Sequence, residues 1–342
     1  MDKVETRHGE QAPPSGPVNP ALGELARLEH ALERNLLPLC ILAALALSLH
    51  ASGPGVALSR LHLTGWLVAL IFLGEGVKLD LSRLASPRRY AKPVVLGAVV
   101  AFGFFPAGAY LLAQVFALSP SYMVGLVLIS CLPCSLASAM VIASNAGGDS
   151  VAALCLLLSL NIIGLVAVPE CLQLWLGGSV HVDDVDIMLK LVLYLFAPMT
   201  AGQLLKRAAP GFVRRIRPAL RYIPAVCIGL IIYAWCSKES RLIAAQSVED
   251  IILVAIPSVL LHASALALSY GVGRRVLNLE PRVNRAVAVV CSEKPLSLAV
   301  ALWSLSFAKS YPLAIFPPVV FAILQVLLDS VWASHLQAGE AA

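Results

Sequence analysis

The chain has 342 residues, of which 59% are hydrophobic and only 13% charged, and its mean hydropathy is +0.83. A soluble globular domain carries roughly 25% charged residues, so this composition excludes that class and predicts a membrane protein. The net charge of +5 is modest and lies in loops between apolar segments, which argues against a nucleic-acid partner. All eight cysteines lie inside or at the ends of apolar segments, which excludes a secreted disulfide framework.

The first 35 residues are polar and are predicted to form an N-terminal tail on the cytoplasmic side. Within this tail, residues 21–35 place leucines and alanines at helical spacing with charged residues between them. The pattern predicts a short amphipathic helix at the membrane surface, or equally a plain extension of the first membrane span.

Ten apolar segments follow the tail. A helix needs about 20 mostly apolar residues to cross roughly 30 Å of hydrocarbon, and helices are favoured because backbone polar groups in lipid must be paired within the segment. The sequence therefore predicts an all-α polytopic membrane protein. The predicted spans are residues 36–50, 63–79, 93–117, 121–145, 151–176, 187–204, 220–236, 251–273, 284–307 and 312–335.

Basic residues are distributed unevenly among the loops. The odd-numbered loops hold four (Arg60, Lys238, Arg241 and Lys309), whereas the loops after spans 2, 6 and 8 hold fourteen. By the positive-inside rule, the even loops and both termini are predicted to be cytoplasmic, in a plasma membrane such as the bacterial inner membrane. The fourteen are Arg83, Arg88, Arg89, Lys92, Lys206, Arg207, Arg214, Arg215, Arg217, Arg221, Arg274, Arg275, Arg282 and Arg285.

The two halves of the chain contain similar segments. Residues 131–140 read CLPCSLASAM and residues 291–300 read CSEKPLSLAV, in predicted spans 4 and 9. Each is the fourth span of five, so the sequence predicts two repeats over residues 36–176 and 187–336. An odd number of spans per repeat inverts the second copy in the membrane, as in many secondary transporters.

Each similar segment contains a proline within an apolar span. Proline lacks a backbone donor and clashes with the preceding turn, so Pro133 and Pro295 are predicted to break their helices. A broken helix exposes N–H groups that suit an anion and carbonyl groups that suit a cation. Crossing of the two breaks would create a site for both, although each proline could instead make a kink that only shapes packing.

Several motifs occur in an order and spacing that resemble a known family. Residues 73–79 (LGEGVKL) precede the third span, and Pro106 lies within that span. Residues 125–149 contain the motifs Cys-x-Pro, Ala-Ser-Asn and Gly-Asp. Pro169 lies near the end of the fifth span, and residues 294–299 read KPLSLA. With these motifs the chain resembles the bile acid:sodium symporter superfamily. The resemblance implies a core domain (spans 3–5 and 8–10) that moves against a panel domain (spans 1–2 and 6–7).

The chain departs from the resemblance where relatives bind two sodium ions. Ser138 retains one ligand position. The family's glutamate ligand corresponds to Val290, unless a small gap in the alignment assigns that role to Glu293. Sodium prefers several oxygen ligands, as Ca²⁺ does, and most candidates are missing. The other positions of the family's ligands correspond to Ala101, Ala139, the vicinity of Ala153 and Leu157, and Lys294.

Lys294 places an ammonium group in the predicted site. We hypothesise that it takes the place of a bound cation, which would either make transport sodium-independent or couple it to protons. An ionisable residue within a span is a functional hypothesis by default. The alternative is a permanent ion pair of Lys294 with Glu293 or Asp329 that only stabilises the bundle. An orphan branch of the superfamily, associated with calcium homeostasis, is similar in having a Ser-x-Lys stretch in its ninth span.

Further polar residues within the spans complete the predicted substrate and ion site. Asn161 lies on the fifth span, where it could line the cavity or form only an interhelical hydrogen bond. Gln325 and Asp329 are one turn apart on the tenth span and therefore share a face. The complete predicted site is Ser135, Ser138, Asn161, Glu293, Lys294, Ser297, Gln325 and Asp329.

The sequence therefore predicts a secondary transporter of a small organic anion that works by alternating access in the lipid bilayer. No cofactor is expected, and the coupling ion would be H⁺ or Na⁺. The alternative is a membrane sensor or regulator that kept the fold but does not transport. An enzyme is not expected, since the sequence has no metal-ligand cluster, paired nucleophile and histidine, or Gly-rich phosphate loop. The solute and the oligomeric state are not visible in the sequence.

Overall fold

The structure is a computed structural model that describes residues 36–37, 39–79, 90–135, 138–178 and 184–341. The predicted amphipathic helix over residues 21–35 lies outside these residues. So do Arg83, Arg88 and Arg89 of the loop after span 2. Throughout the described ranges the regular secondary structure is helical. This confirms the prediction of an all-α protein.

The helices are numbered α1 to α17 in chain order. The first eight described helices are α1 (Leu39–His50), α2 (Ser52–Arg60), α3 (Thr64–Lys78), α4 (Ala91–Val99), α5 (Phe105–Val115), α6 (Pro120–Cys131), α7 (Ser138–Asn145) and α8 (Ser150–Leu176). The remaining described helices are α9 (Asp184–Leu191), α10 (Ala197–Ala208), α11 (Pro210–Leu220), α12 (Ile223–Lys238), α13 (Ser240–Ala244), α14 (Val248–Arg275), α15 (Pro281–Ser292), α16 (Leu296–Leu302) and α17 (Phe316–Ala341).

Widened π turns occur within three of the long helical segments. Val100–Phe104 joins α4 to α5 and Val192–Phe196 joins α9 to α10, while Trp303–Phe307 extends α16. Pro106 and Pro198 follow the first two turns closely. A proline has no N–H for the helical ladder, so a local π turn lets the helix continue past it with one carbonyl left free.

By length and composition, six helical segments in the described residues could cross a membrane, or up to eight if each of two bent pairs counts as one span. The bent pairs are α1 with α2, at 105°, and α11 with α12, at 54°. Two predicted spans are not in this count, because α3 has 15 residues and the fourth span is interrupted between α6 and α7. The number ten therefore stays a prediction.

Two groups of neighbouring helices can be distinguished among the described residues by their contacts. In one group, α3 packs against α10 and α12, and α12 packs against α2. In the other, α14 packs against α15 and α17, while α6 packs against α5, α8 and α17. The segment Pro281–Phe307 is the most enclosed of the candidate spans, since 94% of an 18-residue stretch within it is buried. It therefore lies at the centre of the bundle, where its polar residues are shielded from lipid.

Candidate functional site

The site forms where two helix breaks contact each other. α6 ends at Cys131 and the chain turns extended at Leu132, while α15 ends at Ser292 and the chain turns extended at Glu293. The predicted interruptions at Pro133 and Pro295 are therefore both present. The second break carries two fully buried ionisable side chains, Glu293 and Lys294.

The side chain of Lys294 reaches from the second break into the first. Its Nζ donates hydrogen bonds to three backbone carbonyl oxygens, at 3.2 Å (Ala101), 2.9 Å (Ser130) and 2.6 Å (Leu132). An ammonium group has three donors and no acceptor, so these contacts satisfy it completely. The same nitrogen lies 4.1 Å from the ring centroid of Phe105, a cation–π contact.

These three carbonyl groups lack a donor from the helical ladder. Ser130 and Leu132 lie at the end of α6, where the last carbonyls have no helical donor. In the π turn, the N–H of Phe105 bonds to the carbonyl of Val100. The next donor in that register would be Pro106, which has no N–H, so the carbonyl of Ala101 is left for Lys294.

Lys294 does not form the ion pair that was the alternative prediction. Within the described part of the chain, its ammonium contacts carbonyl oxygens and an aromatic face, not the carboxylates of Glu293 or Asp329. Two of these contacts lie at the carbonyl end of α6, where a cation is favoured. Lys294 thus links the second break to the first through these carbonyl oxygens.

Gln325 on α17 holds the backbone of Lys294. Its side-chain oxygen accepts from the backbone N–H of Lys294 at 2.9 Å, and its side-chain nitrogen donates to the carbonyl of Lys294 at 2.9 Å. Both groups are buried and lack helical partners at the break. One carboxamide therefore replaces two backbone hydrogen bonds that the broken helix has lost.

Glu293 faces away from Lys294 and toward α7. Its Oε2 lies 2.6 Å from the hydroxyl of Ser138, which in turn lies 2.6 Å from the hydroxyl of Ser135. Its Oε1 has no hydrogen-bond partner among the described residues, although Asp329 lies close enough to interact with this carboxyl group. The structure thus brings together the predicted residues Ser135, Ser138, Glu293 and Asp329.

Asp329 connects this chain of polar groups to α14. Its Oδ1 lies 3.0 Å from Nε2 of His262, and both side chains are buried. His262 was not among the predicted site residues. The signal for it was available, because it is an ionisable residue in the middle of the apolar span 251–273.

Two predicted residues lie apart from these contacts. Asn161 donates to the carbonyl oxygens of Leu157 at 2.8 Å and Cys134 at 3.3 Å, so it makes an interhelical hydrogen bond to the first break. Ser297 lies half-buried in the first turn of α16, and its hydroxyl makes no hydrogen bond to a described residue. Asn161 therefore supports the break, whereas Ser297 contributes no contact to the site.

Within the described ranges, no three His, Cys, Asp or Glu side chains are grouped so that they could hold a metal ion. Ser138 and Glu293, the predicted ligands for sodium, contact each other directly. The three carbonyl oxygens that would suit a cation are instead bonded to Lys294.

A separate open cavity of about 550 Å³ lies between helices α2, α3 and α12 and residues Ser304 and Leu305, which follow α16. Its walls include the aromatic side chains of Trp66, Tyr194 and Trp235, and Lys238 supplies a cation 4.6 Å from the ring centroid of Trp235. The lining residues include no carboxylate. Lys238 follows predicted span 7, so the loop charges predict that this cavity opens on the side opposite the cytoplasm. An apolar solute with a negative charge matches such a lining.

Comparisons with known proteins all find similarity to transporters. The model of the SBF-like CPA transporter family matches residues 35–338. Sodium/bile acid cotransporter 7 of Rattus norvegicus is 25% identical over 271 residues, which are 77% of this chain and 80% of that protein. The probable sodium/metabolite cotransporter BASS4, chloroplastic, of Oryza sativa subsp. japonica is 25% identical over 313 residues, which are 87% of this chain and 74% of that protein.

Proposed function

The chain belongs to the SBF-like CPA transporter family, and we propose that it is a secondary transporter of a small organic anion in which Lys294 replaces a co-transported cation. The resemblance to the bile acid:sodium symporter superfamily is confirmed, and the family and its relatives are transporters and not enzymes. Substrate class and coupling are our proposal.

The observation that carries the proposal is the carbonyl cage around Lys294. Backbone carbonyls at a helix C-terminus are ligands for a monovalent cation, and half-helix ends of this kind hold coupling ions in other transporters. Here a tethered ammonium bonds to all three oxygens at 2.6–3.2 Å. A charge that cannot leave the site performs the electrostatic role of the ion without a sodium gradient.

We extend the proposal to the architecture. Ten spans in two inverted repeats would place the breaks of spans 4 and 9 at matching positions, and the contact between the breaks supports this arrangement. The group of α2, α3, α10 and α12 would be the panel domain, and the group around α14, α15 and α17 the core domain. The loop charges support both termini on the cytoplasmic side, and we propose that the membrane is a plasma membrane, such as the bacterial inner membrane.

The organic anion would enter through the cavity that contains Lys238. The cavity lies between α2, α3 and α12 on one side and residues Ser304 and Leu305, after α16, on the other. Movement of the proposed core domain against the proposed panel domain would open or close this cavity, as alternating access requires. Aromatic walls with one cation select a solute by its apolar body and its negative charge.

The first experiment measures the melting temperature of the purified protein in detergent with NaCl or choline chloride at equal ionic strength. We expect the wild type to melt at the same temperature in both salts, because the cage is already filled. Lys294→Ala empties the cage, so sodium should stabilise this variant in a saturable way. The gain is about 2.7 kcal/mol when sodium reaches a hundred times its Kd.

Two variants control for the loss of a lysine. Lys294→Met removes the charge but keeps an unbranched chain in the cage, so it should be insensitive to sodium. Lys206→Ala removes another lysine that bonds to a backbone carbonyl (Leu79, 2.7 Å) but lies outside the site. Saturable stabilisation of the wild type by sodium, or no sodium effect in Lys294→Ala, would contradict the proposal.

A further inference from the structure

A groove of about 780 Å³ lies between α14 and α17, apart from the crossing of the breaks and from the cavity that contains Lys238. Its floor is made of small and aliphatic side chains, including Ala267, Leu328 and Val331. Val331 is 56% exposed, so it faces the surroundings of the bundle. Gly271 leaves further room, since a Cβ built there would meet nothing within 4 Å. The groove is therefore wide enough for an alkyl chain.

An aromatic pair lines the groove near its charged end. The rings of Tyr270 and Trp332 lie 5.7 Å apart and edge to face, at 81°. Tyrosine and tryptophan are enriched at the level of the lipid headgroups, because their rings are apolar and one edge is polar. Arg274 and Arg275 follow Tyr270 in the last turn of α14. The groove thus runs from the hydrocarbon depth of the bundle to the membrane interface.

The interfacial end of the groove is positively charged. Arg274 and Arg275 are exposed and have no carboxylate or hydrogen-bond partner among the described residues. His335 on α17 lies on the opposite side of the same end. The guanidinium fork matches a phosphate group in geometry as well as in charge. By the loop charges, this end lies on the cytoplasmic side.

We propose that this groove is a binding site for one anionic phospholipid of the cytoplasmic leaflet. An acyl chain lies along the floor formed by α14 and α17, and the phosphate contacts Arg274 and Arg275. Basic pockets between helices at this face of the membrane suit anionic headgroups. The site is independent of the solute and of the proposed coupling.

A second copy of the chain is the competing occupant. Small residues recur at Ala263, Ala267 and Gly271, a spacing that also permits close packing of helices. A two-fold axis along the membrane normal, however, would bring the arginines of both copies to the same depth, where like charges repel. The charge at the end of the groove therefore favours a lipid.

The test measures melting temperature in detergent while phosphatidylglycerol, phosphatidylcholine or soluble glycerol phosphate is titrated. We expect saturable stabilisation of the wild type by phosphatidylglycerol, and little by the other two. Arg274→Gln combined with Arg275→Gln should weaken this effect by roughly tenfold or more in lipid concentration. Arg214→Gln combined with Arg215→Gln, on α11 at the same membrane face, should leave it unchanged. Equal stabilisation by phosphatidylcholine, or an unchanged response of the first double variant, would overturn the proposal.

A steric variant tests the groove without altering its charge. Gly271→Leu places an isobutyl group in open space, so the fold should tolerate it while the acyl chain is displaced. Gly211→Leu, where a Cβ also meets nothing within 4 Å, is the matched control on α11. We expect only Gly271→Leu to lose the response to phosphatidylglycerol. A change from dimer to monomer in Gly271→Leu, with the lipid response intact, would instead assign the groove to a second copy.

Discussion

The carboxamide of Gln325 is the side chain on which the second break depends most directly. It bonds to both backbone groups of Lys294 at 2.9 Å in a fully buried position. Gln325→Leu keeps the volume but leaves the N–H and the carbonyl unpaired, which costs about 1–3 kcal/mol for each group. We expect a clear fall in melting temperature and a looser placement of Lys294.

The matched control for this prediction is Gln114→Leu. Gln114 is an exposed glutamine on α5 whose side-chain nitrogen has only a long contact, 3.7 Å, with the sulfur of Met123. Its replacement should change the melting temperature little. Equal melting temperatures of the two variants would show that Gln325 contributes no more than an exposed residue.

At the residue scale, the sequence identifies ionisable groups in the spans but not their partners. Lys294, Glu293 and Asp329 were predictable because charged residues are rare at membrane depth. The orientation of the Lys294 side chain was not predictable. Its partners are the backbone carbonyl oxygens of Ala101, Ser130 and Leu132, and every residue has such an oxygen. The two neighbours Glu293 and Lys294 diverge because the chain is extended at the break. His262 was missed although the same rule applies to it.

Helix contact between α3 and α10 depends on two glycines that face the other helix. A Cβ built at Gly202 would lie 2.3 Å from the carbonyl oxygen of Leu73, and one at Gly76 would lie 2.2 Å from that of Met199. Both obstacles are backbone atoms, which cannot rotate away. Gly202→Ala should therefore force the helices apart and destabilise the protein by about 1–3 kcal/mol, measured as a lower melting temperature.

Gly211→Ala is the control for the contact between α3 and α10. Gly211 lies near the start of α11, and a Cβ there meets nothing within 4 Å. Alanine restricts the unfolded chain and favours a helix, so this change should be neutral or slightly stabilising. The two substitutions are chemically identical, and an equal loss of stability in both would exclude close packing as the cause.

At the element scale, long uniform apolar segments were predictable and bends were not. Residues 151–176 were predicted as a span and form α8, Ser150–Leu176. A continuous apolar run of this length forms a helix in lipid, because its backbone polar groups must be paired within the segment. The predicted first span, residues 36–50, gave no sign of the 105° bend into α2. Pro133 and Pro295 marked the breaks, since proline removes a helical donor wherever it lies.

The charge moved in one transport cycle distinguishes the proposed mechanism from sodium symport. The charge of Lys294 stays with the protein. Any displacement of this charge while the solute-bound protein changes its access state is reversed when the solute-free protein changes back. The net charge per cycle is then that of the solute, which is negative for an organic anion. Symport of a monovalent anion with two sodium ions would move one positive charge. The two mechanisms therefore predict currents of opposite sign.

Reconstituted liposomes would measure this sign. The solute is chosen as an organic anion that raises the melting temperature of the wild type but not of Lys238→Gln, with Arg241→Gln as control on the same face. An inside-positive potential should drive its accumulation, because each charge gains about 2.3 kcal/mol per 100 mV. A sodium gradient without a potential should drive none. Accumulation that follows the sodium gradient, or that is enhanced by an inside-negative potential, would show that sodium still travels with the solute despite the lysine in its cage.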